Sequence, residues 1–301
     1  MQPEGFVDPK GANKVCKLQR SIYGLVQASR SWNKCFDSVI KAYGFIQTFG
    51  EACIYKKVSG SSVAFLILYV DDILLIGIDI EFLDSIKGYL NKSFSMKDLG
   101  EAAYILGIKI YRDRSRRLIG LSQSTYLDKI LKKFKMDQAK KGFLPMLQGV
   151  KLSQTQCPTT AEDREKMKDV PYASAIGSII GQEHPEILKR TKDMFLVYGG
   201  DKELVINGYV DASFDTDPDD SKSQTGYVFL LNGGAVSWCS SKQSVMAGST
   251  CEAEYIAASE AANEGVWMEE FISDLGVIPS ASGPMKIFYD NTGAIALAKE
   301  S

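Results

Sequence analysis

Two adjacent aspartates interrupt the most apolar stretch of the chain. Residues 63–69 and 73–76 are short, β-prone runs, and Asp71 and Asp72 lie between them. An acidic pair between two such runs is typical of a β-hairpin, so the sequence predicts both carboxylates at a hairpin tip. Two interpretations stay open. Aspartate is common in solvated turns, whereas adjacent carboxylates on a rigid tip also suit Mg²⁺, which prefers oxygen ligands.

Composition limits the class of protein. The chain has 301 residues, with 45% hydrophobic and 24% charged, which is typical of a soluble globular protein with room for two domains. No apolar run reaches the roughly 18 residues that span a bilayer, and residues 1–5 are polar rather than signal-like. We therefore expect an intracellular location, in cytoplasm or nucleus, with neither secretion nor membrane insertion. The six cysteines form no Cys-x-x-Cys pair and His184 is the single histidine, which argues against a zinc site and favours free thiols.

The charge is divided between the two halves. Residues 1–180 carry 27 Lys and Arg against 18 Asp and Glu, a net +9, while residues 181–301 carry 8 against 19, a net −11. A basic half suggests a polyanionic partner, although exposed basic faces are often only solvated. Much of the positive charge comes from two segments: Arg112, Arg114, Arg116 and Arg117, then Lys129, Lys132 and Lys133.

Periodicity predicts the elements of the first half. Helices are expected over 29–43, 81–90 and 126–134, the last being amphipathic. A second hairpin is expected from 104–111 and 118–121, around the arginine-rich loop. Residues 1–60 are otherwise interpreted as loop, residues 136–200 give the weakest pattern, and a domain boundary is expected near residues 181–185.

The second half has the pattern of an α/β domain. Strands are expected over 204–214, 225–231 and 235–239, the last two joined by a turn at Asn232-Gly233-Gly234. Ser249 and Glu252 form a capping box that begins a long helix, which ends at Gly276. A strand over 285–289 and a helix from Thr292 follow.

Three further acids fall at informative places in this second half. Asp211 and Asp290 lie at strand ends, and Glu254 shares a helical face with Ala257, Ala258 and Ala261. A carboxylate on such a packing face is costly unless it is paired or metal-bound, so we expect Glu254 to point toward the two aspartates. Two structural interpretations compete: Glu254 as a helix-dipole partner and Asp290 as a helix N-cap.

Taken together, these motifs resemble the reverse transcriptase of Copia-type LTR retrotransposons. Residues 69–74 resemble that family's YVDD motif, and residues 21–32 resemble its SLYGLKQAPRxW motif, with Ser29 in place of the usual proline. Leu106-Gly107-Ile108 and Leu121-Ser122-Gln123 are similar to its later palm and thumb motifs, and Pro171-Tyr172 to Gly177-Ser178 to its PYxxAIGS segment. The resemblance covers nearly the whole chain, in the family's order.

The resemblance implies an α+β fold. Residues 1–180 would form a partial reverse-transcriptase palm and thumb, with a ferredoxin-like palm carrying the YVDD hairpin. Residues 181–200 would be a shortened connection, and residues 201–301 an α/β RNase H-like domain. By the same resemblance the chain would act as an RNA-directed DNA polymerase with hybrid-cleaving RNase H activity.

The resemblance also implies roles for individual residues and a set of partners. Metal ligands and catalytic residues for Mg²⁺ in two-metal sites would be Asp71, Asp72, Asp211, Glu254 and Asp290. Nucleotide and template contacts would come from Tyr23, Gly24, Gln27, Arg30 and Tyr69, whereas Trp32 is expected to pack in the core. Partners would be an RNA–DNA hybrid or duplex, whose phosphates meet the two basic segments, a dNTP, and the rest of a Pol polyprotein.

Three departures from the family pattern limit the expected activity. The family's other palm aspartate and its fingers precede the segment that begins here at Gln2, and its fourth RNase H acid follows the helix from Thr292. The connection after residue 180 is short, as after an internal deletion. We therefore expect no or very low polymerase activity from this chain alone. The alternatives are a non-catalytic nucleic-acid-binding module and a degenerate retroelement relic.

Overall fold

The chain divides into two units, Met1–Asp98 and Leu99–Ser301. The computed structural model describes residues 9, 11, 14–15, 17–19, 22, 24–138, 153–168, 189–199, 204–276 and 284–300. The predicted boundary near residues 181–185 and the segment 171–178 lie outside these residues. None of the helices within the described ranges is long and apolar enough to cross a bilayer. The mixed helices and sheets match the predicted α+β class.

Unit 1 is a four-stranded antiparallel sheet with two helices. The strand order is β1-β2-β3-β4. Its elements are α1 Val26–Ala42, β1 Ile46–Gln47, β2 Ile54–Ser59, β3 Ser62–Tyr69, β4 Asp72–Gly77 and α2 Ile80–Ser93. Ala64, Leu66 and Leu68 alternate along β3 toward a buried core that includes Phe36 of α1 and Ile86 of α2. This alternation is the period-2 pattern of a half-buried strand. The predicted hairpin is confirmed by β3 and β4, and the helices predicted over 29–43 and 81–90 are confirmed by α1 and α2.

The sequence did not predict β1 and β2. Lys56 and Lys57 interrupt the apolar pattern of β2, and so the segment was interpreted as loop. In the fold, the Lys57 ammonium lies 3.4 Å from the centroid of the Tyr43 ring and donates a hydrogen bond to the Tyr43 carbonyl. The charge is therefore accommodated by an aromatic face and a backbone acceptor, while Tyr55 fills the core.

The described residues of unit 2 form two four-stranded sheets. The first has the order β5-β6-β7-β8, with β5 Tyr104–Ile105, β6 Ile108–Asp113, β7 Leu118–Ser122 and β8 Leu196–Gly199. Helix α3, Ser124–Lys133, follows β7, and helix α4, Ala161–Lys168, has no buried residue. The second predicted hairpin is confirmed, but β5 is a separate short strand. Strand β8 and α4 fall in the region of weak pattern and were not predicted.

The second sheet of unit 2 positions the acids of the second half. Its order is β11-β10-β9-β12, with β12 parallel to β9 and the other neighbours antiparallel. The elements are β9 Ile206–Ser213, β10 Gln224–Leu231, β11 Gly234–Lys242, α5 Thr250–Leu275, β12 Lys286–Phe288 and α6 Thr292–Glu300. Helix α5 crosses from β11 to β12 and packs its small face on β9 and β10, with Phe229, Ala257 and Ala261 fully buried.

Local signals fixed the ends of these elements as predicted. Asn232 and Gly233 form a two-residue turn with φ of 48° and 86°, the left-handed pair that a tight hairpin needs. The Ser249 hydroxyl accepts from the Glu252 amide at 3.1 Å, and α5 ends at Gly276 with φ of 62°. The Glu252 carboxylate accepts from the Gly248 amide at 2.7 Å rather than from the Ser249 amide, so only the Ser249 half of the predicted capping box is formed. The expectation of free thiols is confirmed for the five described cysteines.

Candidate active sites: two groups of carboxylates

The β3–β4 hairpin presents Asp71 and Asp72 to solvent. Tyr69 pairs with Asp72, so the two-residue turn is Val70 and Asp71. The predicted turn at Asp71 and Asp72 is therefore wrong by one residue, since Asp72 begins β4. Both carboxylates are exposed, as are the side chains of Tyr69 and Val70. Val70 has a φ of 53°, which is unusual for a β-branched residue and stores strain in the turn.

Trp32 contacts this turn from α1. Its indole N–H donates to the Val70 carbonyl oxygen at 2.7 Å. The ring also packs against Phe36 and Phe94, with centroid distances of 5.6 and 5.2 Å. The expected core packing of Trp32 is therefore confirmed, and the hydrogen bond adds a link to the hairpin tip that the sequence did not reveal.

The predicted nucleotide-binding residues lie at the start of α1. Gly24 has a φ of 91°, and Gln27 and Arg30 are exposed on the first turns of the helix. Leu25 caps α1 without a side-chain hydrogen bond, and the first turn holds no acid. Such a helix start favours anions. Among the described residues no hydrogen bond or ion pair joins Gln27 or Arg30 to the aspartate tip, and Tyr23 lies outside the described residues.

In unit 2, Glu254 lies against the strand that carries Asp211. Glu254 is 7% exposed in the second turn of α5, and its Oε1 accepts from the Ala212 amide at 3.2 Å. Its Oε2 is buried without a hydrogen-bond partner in the described part of the chain. A buried, unpartnered carboxylate oxygen is costly, so this atom is suited to a ligand that brings positive charge.

The environment of Glu254 favours its neutral form. Burial raises the pKa of the Glu254 carboxyl above its ordinary value, the Ala212 amide opposes this, and the charges of Asp211 and Asp290 raise it further. Asp211 contributes most of this charge effect, ahead of Asp290. Both aspartates are exposed. The charges of all three acids therefore influence one another.

The structure argues against both competing interpretations, in which Asp290 is a helix N-cap and Glu254 is a helix-dipole partner. Asn291, not Asp290, caps α6: its Oδ1 accepts from the Ala294 amide at 3.0 Å. Glu254 is buried against β9 rather than solvated at the helix start, so a dipole contact alone does not explain it. Asn291 therefore takes the capping role considered for Asp290, and within the described residues no Lys or Arg forms an ion pair with Glu254.

Gln243 is a buried residue of this site that the sequence did not reveal. It is 1% exposed, and its amide donates to Thr225 Oγ1 at 3.1 Å and to the Ala253 carbonyl at 2.9 Å. Thr225 pairs with Ala212, so Gln243 ties the start of α5 to the strand pair that holds Glu254. The one available signal was a glutamine directly after an alternating strand, which is weak.

Both groups of acids offer carboxylate oxygens, which are ligands for divalent cations, but neither group surrounds a cation position. Within the described ranges, no group of three or more His, Cys, Asp or Glu side chains is placed to hold a metal ion. The unpartnered Oε2 of Glu254 and the raised pKa of its carboxyl are what a cation would relieve, so Glu254 is the residue of this group whose environment suits a cation. Asp71 and Asp72 offer two exposed carboxylates for such an ion.

Two of the four arginines of the first basic segment form ion pairs with Glu101. Glu101 accepts from Arg114 at 2.8 Å and from Arg112 at 3.4 Å. Arg114, with Arg112, holds the pKa of Glu101 below its usual range. Arg116 and Arg117 are exposed in the β6–β7 turn, and Lys129, Lys132 and Lys133 are exposed on α3. Part of the arginine charge is therefore neutralised by Glu101, which lies before β5.

Comparison with known proteins identifies the family. Residues 1–148 match the family model of reverse transcriptase (RNA-dependent DNA polymerase). The chain is 40% identical to the Pol polyprotein of transposon TNT 1-94 of Nicotiana tabacum, over 100% of the chain and 25% of that protein. It is 31% identical to that of transposon RE1 of Arabidopsis thaliana, over 98% and 22%.

A shorter relative is matched almost end to end. The Ty5-1 transposon protein of Saccharomyces cerevisiae is 30% identical, over 87% of the chain and 94% of that protein. The chain spans about a quarter of the tobacco and Arabidopsis polyproteins, and no solved structure matches it. Reverse transcriptases bind nucleic acid and generally use Mg²⁺. The chain belongs to the Copia-type retrotransposon Pol family and is a fragment of its reverse transcriptase.

Proposed function

We propose that the second sheet of unit 2, with α5, is an RNase H-like domain that slowly hydrolyses the RNA strand of an RNA–DNA hybrid. The observation that carries this proposal is the buried, unpartnered Oε2 of Glu254 beside Asp211 and Asp290. The topology supports it, because three antiparallel strands, a crossover helix and a parallel fourth strand bring these acids to one region of the sheet.

In this proposal Asp211, Glu254 and Asp290 hold Mg²⁺. Bound there, the ion would activate water for attack on phosphate and offset developing negative charge. The chain's own contribution is placement: the Ala212 amide fixes one Glu254 oxygen, and Gln243 fixes the helix start that carries Glu254. The same residues leave the other Glu254 oxygen free for the ion.

We further propose that unit 1 contributes half of a polymerase site. Asp71 and Asp72 would be its metal ligands. The roles proposed for nucleotide and template contacts fall on Tyr23, Gly24, Gln27, Arg30 and Tyr69. A duplex would meet the basic segments of unit 2 through its phosphates, in a salt-sensitive and sequence-independent way. Two carboxylates on one hairpin leave a metal pair underligated, which supports very low polymerase activity.

The length of the relatives supports a shortened connection. The tobacco alignment extends over 332 positions against 301 residues of this chain, so at least 31 positions of that relative have no counterpart here. We place this gap in residues 181–200, between the palm–thumb part and the RNase H-like part.

Primer extension tests the polymerase proposal. The chain is expected to incorporate dNTP on a primed RNA template only at background level with Mg²⁺, and Asp71→Ala to leave that level unchanged. Asp84→Ala, an exposed acid on α2, is the matched control because its surface ion pair contributes about 1 kcal/mol or less. Clear incorporation that Asp71→Ala abolishes and Asp84→Ala retains would contradict the proposal.

Thermal melting tests the proposed cation site in unit 2. Mn²⁺ or Mg²⁺ is expected to stabilise the native chain, by about 2.7 kcal/mol at a hundredfold excess over the dissociation constant. Glu254→Gln should remove most of this gain, whereas Glu270→Gln, exposed on the same helix, should retain it. The gain should grow as pH rises through the raised pKa of Glu254, because only the ionised carboxylate binds the cation. Equal gains in all three proteins would refute the site.

A further inference from the structure

We infer that Trp32 is a positioning residue for the Asp71–Asp72 tip. Its indole N–H fixes the Val70 carbonyl, and thereby the turn from which both carboxylates project. The expected effect on metal affinity rests on the proposed metal-binding role of these aspartates. The structural part, that Trp32 restrains the turn, stands on the geometry of unit 1.

The hairpin tip has little else to hold it. Among the described residues, the bond from Trp32 is the single side-chain hydrogen bond that reaches residues 69–72 from outside the hairpin. Tyr69, Val70, Asp71 and Asp72 are all exposed, so burial contributes little to their placement. Exposed hairpin tips fray easily when their turn is not favoured, and a donor from α1 opposes this.

The backbone conformation of the turn is unfavourable for the residue that adopts it. Val70 has a φ of 53°, whereas a β-branched side chain favours negative φ. The turn is therefore maintained by its surroundings rather than by local preference. A hydrogen bond to the carbonyl of this same residue is placed to lock the peptide plane between Val70 and Asp71. That plane sets the direction of Asp71 and the pairing of Asp72 with Tyr69.

The indole is itself held rigidly. Trp32 lies against Phe36 on α1 and edge-on to Phe94, the residue after α2, and Phe36 and Phe94 stack at 5.6 Å. Phe36 is fully buried in the core of unit 1. The donor N–H is thus anchored in the packed core, and a chain of contacts runs from the core to the exposed carboxylates.

Trp32→Phe in the full chain separates packing from hydrogen bonding, because the ring is kept and the N–H is lost. We expect amide hydrogen exchange in a peptide covering residues 69–72 to accelerate on the order of tenfold. Mn²⁺ affinity at the tip, followed by paramagnetic broadening of the Asp71 and Asp72 signals, should weaken several-fold. Global unfolding should change little, and Trp238→Phe, a 60% exposed tryptophan of unit 2, should change neither tip readout.

The Val70→Gly background distinguishes restraint of the turn by Trp32 from a general packing role of Trp32. Glycine adopts positive φ without strain, so in a Val70→Gly background the effect of Trp32→Phe on tip exchange should shrink to twofold or less. Equal acceleration in both backgrounds, or none in either, overturns the inference.

A measurement on the native chain covers the case in which Trp32→Phe fails to fold. The Trp32 indole N–H should exchange at least tenfold more slowly than that of the exposed Trp238, and equal rates overturn the inference. If the native chain binds no Mn²⁺ at the tip, the proposed metal role fails, but the exchange experiments still decide the role of Trp32.

Discussion

Asp211→Asn is expected to reduce cleavage of the RNA strand of an RNA–DNA hybrid on the order of 10³-fold, to background. Asparagine keeps the size of the side chain and removes the charge that the proposed cation needs, and metal-assisted stabilisation of phosphate chemistry contributes several kcal/mol. Asp211 is exposed at the end of β9, so the substitution should leave the fold intact. The measurement is the initial rate of release from end-labelled RNA with Mg²⁺ or Mn²⁺.

A matched control lies four residues further along the chain. Asp215 is also exposed, and its φ of 49° is a conformation that asparagine adopts readily, so Asp215→Asn changes the same charge without strain. It should retain the native rate. Equal losses in the two variants would show that net charge, rather than the proposed site, controls cleavage.

Phe229→Ala is expected to lower the free energy of unfolding of unit 2 by about 3–5 kcal/mol. The side chain is 0% exposed between β10 and α5. Its ring fits so closely that a Cβ added to Gly208 would lie 2.6 Å from it, while one added to Gly265 would lie at 3.7 Å. The cavity left by alanine therefore has few neighbours able to fill it. Urea unfolding followed by circular dichroism measures the loss.

Phe288→Ala is the comparison for that measurement. Phe288 is 47% exposed on β12 and stacks on Tyr209 at a centroid distance of 5.3 Å. Losing one exposed aromatic contact should cost about 1 kcal/mol. A loss for Phe229→Ala no larger than that for Phe288→Ala would contradict the packing described for α5 and the sheet.

Elements with strong local signals could be predicted from the sequence. Helix α5 is an example: Ser249 begins it, a stripe of small residues defines its buried face, and Gly276 ends it. Each signal acts within a few residues and does not depend on distant partners. The same holds for the Asn232–Gly233 turn, where both residues tolerate positive φ.

Elements that depend on distant partners could not be predicted. Strand β8 is four residues long and pairs with β7, whose residues lie more than seventy positions earlier. Strand β2 carries two lysines, and its stability comes from pairing with β3 and from the contact of Lys57 with Tyr43. Periodicity within a short window holds no information about such partners.

The candidate sites also combine features that have a local sequence signal with features that depend on distant partners. The shared role of Asp211, Glu254 and Asp290 stays a prediction, which rests on two strand ends and a helix face that limit where these acids can point. The turn at Val70 and Asp71 was not predictable, because aspartate tolerates positive φ better than valine does. In the structure the positive φ falls on Val70, and the carbonyl of Val70 accepts a hydrogen bond from Trp32, which lies 38 residues away in the chain. The capping role of Asn291 and the bridging role of Gln243 likewise required the three-dimensional arrangement.

We propose that Asp211, Glu254 and Asp290 act as one unit on a hybrid substrate. The most direct test compares the hybrid cleavage rates of the native chain, Asp211→Asn, Asp290→Asn and the double variant. Residues that act as a unit give non-additive losses. We expect slow, cation-dependent cleavage by the native chain, none above background in either single variant, and no further loss in the double variant. A native chain indistinguishable from Asp211→Asn, or losses that multiply in the double variant, would contradict it.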